Sequence, residues 1–408
     1  MRILYLSQYF PPEVGATQTR AYEMARGLVQ AGHHVTMIAE IPNHPGGIIP
    51  PQYQGKLYER TNLDGIDVIR VWVKTSPVKT FRTRIAFYLS YSLMGTLAGL
   101  FGARNKYDLI YATSPPLFVG ASALALSHLR RTPMAFEVRD LWPESAIVLG
   151  ELENERAVQL ATWLEETCYH RARLIIVTSQ EILDHLVERG VPRDKLALVR
   201  NGANIDLFQL DPKARQRIRT ELGLENRFIA LYAGLFGLAY ELDLVLEAAH
   251  ELETRAADVH FLLMGDGPTR EALQDDASLL GLTNVTFLPA QPRERVPGYF
   301  NAADVSLVPL REPNIPGMLP VKIYDSMACK VPLIVGARGE PRTIVQECDS
   351  GLVVDPGNVE QLCDAILRLR DAPELRRRYG ENGRQAVVAR YSRQAQARQL
   401  EQILRTIV

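Results

Sequence analysis

The first forty residues restrict this chain more than any other feature. Ile3 to Leu6 is a short apolar run, and the turn segment QYFPPEVGAT follows it. Ala21, Met24, Ala25 and Leu28 then fall on one helical face, Gly32 stops the helix, and Val35 to Ala39 supplies a second apolar run. Strand, glycine turn, helix and strand in that order predict a parallel pair joined by a right-handed crossover. The same rhythm continues through Val68–Val73, Leu109–Ala112, Met134–Val138 and Leu174–Val177. A second series follows VRNGANIDLF, where Asn201-Gly202 marks a turn: Phe228–Ala233, Val259–Met264, Val285–Leu288, Val305–Val308 and Leu333–Val335. With 408 residues, more than one hydrophobic core usually serves, two α/β domains are expected, 1–203 and 204–389. A strand-free helical tail of about residues 390–408, rich in Arg and Gln, is expected to cross back onto the first.

A formal net charge of -1, with no basic run, gives no electrostatic reason to expect a nucleic-acid partner. Cys168, Cys329, Cys348 and Cys363 show no C-x-x-C pair or metal-ligand spacing, so reduced, packed thiols are expected and no metal site. MRILYLSQYF fits a buried strand and lacks the apolar length of a signal peptide, which sets a cytosolic expectation.

Open parallel sheets bind ligands beyond the carboxyl ends of their strands, near helix N-termini. Gly15 and Ala16 lie between the first strand and the first helix, where small residues let backbone N–H groups approach a phosphate or sugar, although a plain tight turn would use the same glycine. Gly234 and Gly237 follow one apolar strand of the second series, and Gly265 and Gly267 follow the next. Neither pair completes the G-x-G-x-x-G dinucleotide fingerprint, and the Walker A pattern is absent, which argues against a dehydrogenase or a P-loop ATPase. In LPVKIYDSMACKVPLIVG, Lys322 opens a helix and Asp325 follows one turn later. A lysine there can meet a diphosphate and a carboxylate can accept from ribose hydroxyls; a solvated i,i+3 ion pair is the plainer alternative.

In order along the chain stand QYFPPEVGATQTRAYEMARGLVQAGHHV, PNHPGG, RDLWPES, VRNGAN, YAGLFGLAYELD, MGDGP, NAADVSLVPL, KIYDSMACKVPLIV and GEPRTIVQECDSGLVVDPG. By these segments the sequence resembles glycosyltransferase family 4 over essentially its whole length, and among its groups the WbuB-type N-acetylfucosaminyl transferases. The resemblance implies a GT-B fold, two Rossmann-like domains with parallel sheets facing across a cleft. It further implies an acceptor side in the first domain and a UDP-sugar donor held by the second. Gly15 and Ala16 match the loop near the donor phosphates, Gly234 the loop that receives the diphosphate, and Gly265 and Gly267 the turn near the nucleoside. Asp325 falls on the second acid of the family's E-x(7)-E motif, and Glu340 lies in a loop that approaches the sugar or phosphate.

The sequence departs from the family pattern where many members carry Arg and Lys after Gly234, since Leu235 and Tyr240 stand there, and where the first acid of E-x(7)-E would fall, at Gly317. Lys322 is the candidate to replace the missing diphosphate clamp, with Arg293 and Arg338 in reserve. The family transfers sugar with retention and without metal, in keeping with the absence of a D-x-D motif, and no cofactor beyond the donor is expected. Gly15, Lys322 and Asp140 are the catalytic candidates, and His44, Asp140 and Glu144 are candidate acceptor contacts; Asp140 could equally be a buried structural acid.

Ile85 to Ala103 carries no charge and is flanked by Lys79, Arg82, Arg84, Arg104 and Lys106. Docking on a membrane surface, a buried core helix and a true span all fit its length. Docking favours a polyprenyl-diphosphate-linked glycan acceptor, as in surface polysaccharide or O-antigen synthesis, at the inner face of the cell membrane. Two other functions fit the same segments, a UDP-sugar epimerase of GT-B fold and a catalytically degenerate nucleotide-sugar-binding protein.

Overall fold

A computed structural model describes residues 1–13, 15–43, 46–78, 80–103, 105–148, 150, 152, 154–312 and 317–408. The chain divides into one unit of residues 1–200 with 394–408 and a second of 201–393.

The first unit is built on strands β1 (Arg2–Leu6), β2 (His34–Glu40), β3 (Tyr58–Leu63), β4 (Ile66–Val71), β5 (Leu109–Ser114), β6 (Met134–Val138), β7 (Leu174–Val177) and β8 (Leu196–Leu198). They lie in the order β3-β4-β2-β1-β5-β6-β7-β8, all parallel except β3. Central strands bury both faces, which is why they read as unbroken apolar runs: Leu4, Leu6, Ile110 and Phe136 face one core, and Ile3, Tyr5, Leu109 and Tyr111 the other. Helix Ala16–Gln30 buries the expected Ala21, Met24, Ala25 and Leu28, and the returning helix Arg393–Arg405 adds Ala397, Leu400 and Leu404 to the same cluster. The two helices approach so closely that a Cβ on Gly27 would fall 2.4 Å from that of Ala397.

A buried ion pair fastens this unit. Arg20 donates to Glu137 at 2.8 Å and to the carbonyls of Val199 and Arg200, each at 2.9 Å. Tyr111 and Thr113 donate to the same carboxylate at 2.7 and 2.6 Å. Burial alone would raise the Glu137 pKa, but the Arg20 charge and hydrogen bond outweigh it and hold the group below the usual carboxylate range.

Strands β9 (Phe228–Leu235), β10 (Val259–Asp266), β11 (Val285–Leu288), β12 (Val305–Pro309), β13 (Leu333–Gly336) and β14 (Gly351–Val354) form the all-parallel sheet of the second unit, in the order β11-β10-β9-β12-β13-β14. Asn201-Gly202 is no free turn. Ala203 bridges to Ser392, and a Cβ on Gly202 would meet the Tyr391 carbonyl at 2.1 Å. All four cysteines are buried and free.

Helix Phe81–Leu97 starts at a reciprocal Thr80–Thr83 capping box. It runs on through a wider turn, Ala98–Gly102, near whose end the Arg130 guanidinium bonds the carbonyls of Gly99 and Ala103. Of the helix proper only Tyr91 and Gly95 are buried, whereas Phe81, Leu89, Leu93 and Leu97 are exposed. A core helix, one of the alternatives for this stretch, is therefore corrected: one side packs on the sheet and the other shows bare leucine. Phe81–Gly102 is also long and apolar enough to cross a membrane.

Candidate functional site

In each sheet the strand order reverses between two central strands, the place where open parallel sheets bind ligands beyond their carboxyl ends. In the second unit this lies between β9 and β12, which pair at Ala230–Val305 and Leu231–Ser306. The segments that follow are zipped together: Glu241 donates its N–H to Pro309, and Arg311 donates to Ala239, at 3.1 and 3.0 Å. Gly234 closes β9 at φ 147°, and helix Lys322–Ala328 stands after β12. A Cβ on Gly234 would come within 2.8 Å of the Lys322 Nζ.

That ammonium is the most unusual group of the unit. Lys322 is buried, and among the described residues its Nζ has no hydrogen-bond partner. It sits 3.6 Å from the Tyr232 ring centroid and 4.0 Å from that of Tyr240. Two desolvated cation–π contacts, worth about 2 kcal/mol each, hold it in place without satisfying its N–H donors. Burial pushes its pKa well below the usual lysine value. The i,i+3 ion pair that the sequence allowed is not formed. Asp325 instead leaves its Oδ1 without a donor, and burial, against the opposing charges of Arg393 and Arg293, raises its pKa to about 6. Lys322, its Nζ without acceptors against the Gly234 backbone, can take an anion, and Asp325, three residues on in the same helix, leaves a carboxylate oxygen that can accept from a hydroxyl group.

The other candidates stand along the same carboxyl edge. Gly265 and Gly267, at φ 150° and 154°, end β10 and the turn after it. A Cβ on Gly265 would lie 1.8 Å from the Gly234 carbonyl oxygen, and one on Gly267 would lie 2.4 Å from that of Phe236. Their glycine identity is thus demanded by the fit of one loop against the next. Gly237 is buried under Leu235. Glu340 is buried at the first position of helix Glu340–Glu347, after β13. Arg293 is half-buried and acts on Asp325 through its charge, whereas Arg338 is exposed.

In the first unit the reversal falls between β1 and β5. Gly15 is the N-cap of helix Ala16–Gln30 and, among the described residues, no side-chain cap hydrogen bond forms there, the local arrangement that lets helix-start N–H groups meet a ligand. Gly15 is extended, at φ 162°, and a Cβ there would meet only the Gln18 side chain. Asp140 follows β6 and is half-buried. Glu144, by contrast, is engaged by His185 at 3.0 Å and by Arg189 at 3.3 Å. His44 lies outside the described residues.

Sequence reasoning missed three things here. Tyr240 was legible only as a missing lysine, yet its ring is half of the lysine's cage. Tyr232 looked like an ordinary apolar strand residue. The aromatic run Tyr88, Phe118 and Trp142 around Asp140 joins residues far apart in sequence, so no local pattern carries it.

A family model described as glycosyl transferases group 1 matches residues 214–386, and one described as a glycosyl transferase 4-like domain matches residues 15–202. The chain is 28% identical to the alpha-D-kanosaminyltransferase of Streptomyces kanamyceticus over 251 residues, 61% of this chain and 64% of that one. It is 24% identical over 375 residues to the putative colanic acid biosynthesis glycosyl transferase WcaI of Escherichia coli K12, 90% of this chain and 91% of that one. Among solved structures, Anabaena HepE in complex with UDP and glucose matches over 100% of both chains with a TM-score of 0.74 at 17% identity.

Proposed function

This chain belongs to glycosyltransferase family 4, with the GT-B fold, and we propose that it moves a sugar with retention from a UDP-sugar to a polyprenyl-diphosphate-linked glycan. The observation that carries the donor half is Lys322, a buried ammonium with unused N–H donors against the Gly234 backbone at the reversal point of the second sheet. A diphosphate supplies the missing acceptors and restores the charge that burial suppresses, while Asp325 accepts from the ribose. HepE, of the same fold, was solved with UDP and glucose, which supports the choice of nucleotide. An N-acetylated deoxyhexose is the sugar that the WbuB-type likeness singles out.

In the step itself the bond from the anomeric carbon to the diphosphate oxygen breaks, and the electron pair leaves with the UDP. The acceptor hydroxyl oxygen bonds to the same face of that carbon, and its proton passes to the departing diphosphate. Lys322 and the backbone N–H groups of the glycine loops of the second unit stabilise the charge that develops on the leaving oxygen, and Asp140 contacts the acceptor. No metal or cofactor takes part.

Exposed Phe81, Leu89, Leu93 and Leu97, with Arg82 and Lys106 also exposed nearby, support attachment to the inner face of the cell membrane, where an anionic leaflet attracts the basic groups. Thermal unfolding with a panel of nucleotide-sugars tests the donor, because a ligand stabilises the fold it binds. UDP-sugars should raise the Tm, and transfer to a polyprenyl-diphosphate sugar should follow. UDP release without acceptor would point to an epimerase, and binding without turnover on any lipid-linked acceptor to a non-catalytic protein.

A further inference from the structure

The chain leaves its first unit after Arg200 and returns to it after Arg393, and within the second unit the two crossings pair side by side. Ala203 donates its N–H to the Tyr391 carbonyl at 3.0 Å, and Arg393 donates its own to the Ala203 carbonyl at 2.9 Å. The Arg393 side chain is buried and turns back on the same pair, its Nε donating to the Gly202 carbonyl at 2.8 Å. Helix Lys322–Ala328 packs on the second crossing: Tyr324 and Tyr391 are both buried, with ring centroids 5.1 Å apart and planes at 44°. Next to Tyr324 stands Asp325, whose Oδ1 has no donor among the described residues. Against the burial that raises the Asp325 pKa to about 6, Arg393 exerts the stronger of two opposing pulls, and Arg293, ahead of helix Val296–Ala302, the other. Further ionisable groups on the elements packed here are Lys322 one turn earlier, the Cys329 thiol at the helix end, and Arg384 of helix Pro373–Ala386, which acts on that thiol.

We propose that Arg393 is a positioning residue of the donor site, which acts on the ribose through Asp325 and ties that contact to the crossings. The inference rests on the UDP-sugar reading above and adds a residue that no local motif marks. The crossings need no arginine of their own. Backbone pairing and the tyrosine rings already fasten them, and the one bond to Gly202 could come from a neutral amide with a smaller desolvation penalty. What the guanidinium adds is a permanent positive charge inside the unit, and that charge reaches the carboxylate that accepts from the ribose. Displacing Arg393 would remove the pull that keeps Asp325 ionised. A ligand that requires the ionised carboxylate therefore favours the ordered crossing, and by reciprocity the ordered crossing favours the ligand.

The test titrates UDP-glucose into the whole protein, Arg393→Gln and Arg393→Lys by calorimetry, over a pH series spanning about 6. The diphosphate of this probe is esterified at both ends and does not titrate in that range. In the unmodified protein affinity should rise through the series. Without the charge of Arg393 the carboxyl holds its proton longer, so in Arg393→Gln the rise should move up by about one pH unit, a loss of about tenfold on the acid side. Arg393→Lys keeps the charge and should return the profile most of the way. Hydrogen exchange on the unmodified protein gives a second reading that needs neither variant to fold. Bound UDP-glucose should slow exchange at the Ala203 and Arg393 amides, and Asp325→Asn should abolish the slowing. A pH profile that Arg393→Gln leaves in place, an equal loss in both variants at every pH, or exchange at those amides that bound UDP-glucose does not alter would overturn the proposal. An unmodified protein that binds no UDP-glucose would sink the donor reading and this proposal with it, whereas failure of Arg393 alone leaves that binding intact.

Discussion

At the carboxyl edge of β9 the backbone follows a path open to glycine alone, whereas at the carboxyl edge of β1 it does not. Gly265 lies so close to Gly234 that any side chain would enter its carbonyl oxygen, and both residues hold positive φ. Gly15 is extended, and an added methyl would displace only the flexible end of Gln18. The second unit thus presents a rigid backbone cradle with one buried lysine, and the first a helix start that no side chain caps. A diphosphate is the same in every donor and suits a fixed cradle.

Several substitutions break or sharpen that contrast. The largest effect is expected from Gly265→Val, which drives atoms into backbone. Urea unfolding should lose at least about 3 kcal/mol, or the second unit should fail to fold. Next comes Glu137→Ala, which strands the Arg20 charge and the Tyr111 and Thr113 hydroxyls inside the first unit. About 3–5 kcal/mol should disappear from the same measurement.

Asp325 gives a smaller, pH-dependent effect. Its pKa of about 6 lies above the ordinary aspartate value, so the fold binds the proton more tightly than the unfolded chain does. Its contribution to stability is therefore present at low pH, is lost as the pH rises through about 6, and is level above that. Ribose hydroxyls favour the ionised form. UDP affinity should therefore rise across the same interval, and Asp325→Asn should flatten the rise in calorimetric titrations. Smallest for the fold is Gly15→Ala, which should change stability by less than about 1 kcal/mol in urea unfolding, because the methyl meets only the flexible end of Gln18.

The same contrast decides what could be read from sequence. Interior parallel strands bury both faces, so LIYAT and VHFLLM stood out as apolar runs. Edge strand β3, YERTNL, is exposed along much of its length and went unread. The Asp64-Gly65 turn that joins it to β4, with both residues at positive φ, was the available signal. Gly234, Gly265 and Lys322 were legible because glycines after strands and a basic helix start are local patterns. The tyrosine cage, the Arg20–Glu137 pair and the aromatic run were not, since each joins residues brought together only by the order of the strands. Nothing near Arg20 in sequence points to its partners, which are Glu137 and the carbonyls of Val199 and Arg200, the last 180 positions away.

The central claim is that the caged ammonium of Lys322 awaits a diphosphate. Calorimetric titration of UDP into the intact protein and into Lys322→Met, with the Tm of both, tests it most directly. The methionine fills the cage without charge, so the fold should keep or gain stability while UDP affinity falls at least about tenfold. Unchanged affinity in a folded Lys322→Met protein would contradict the account.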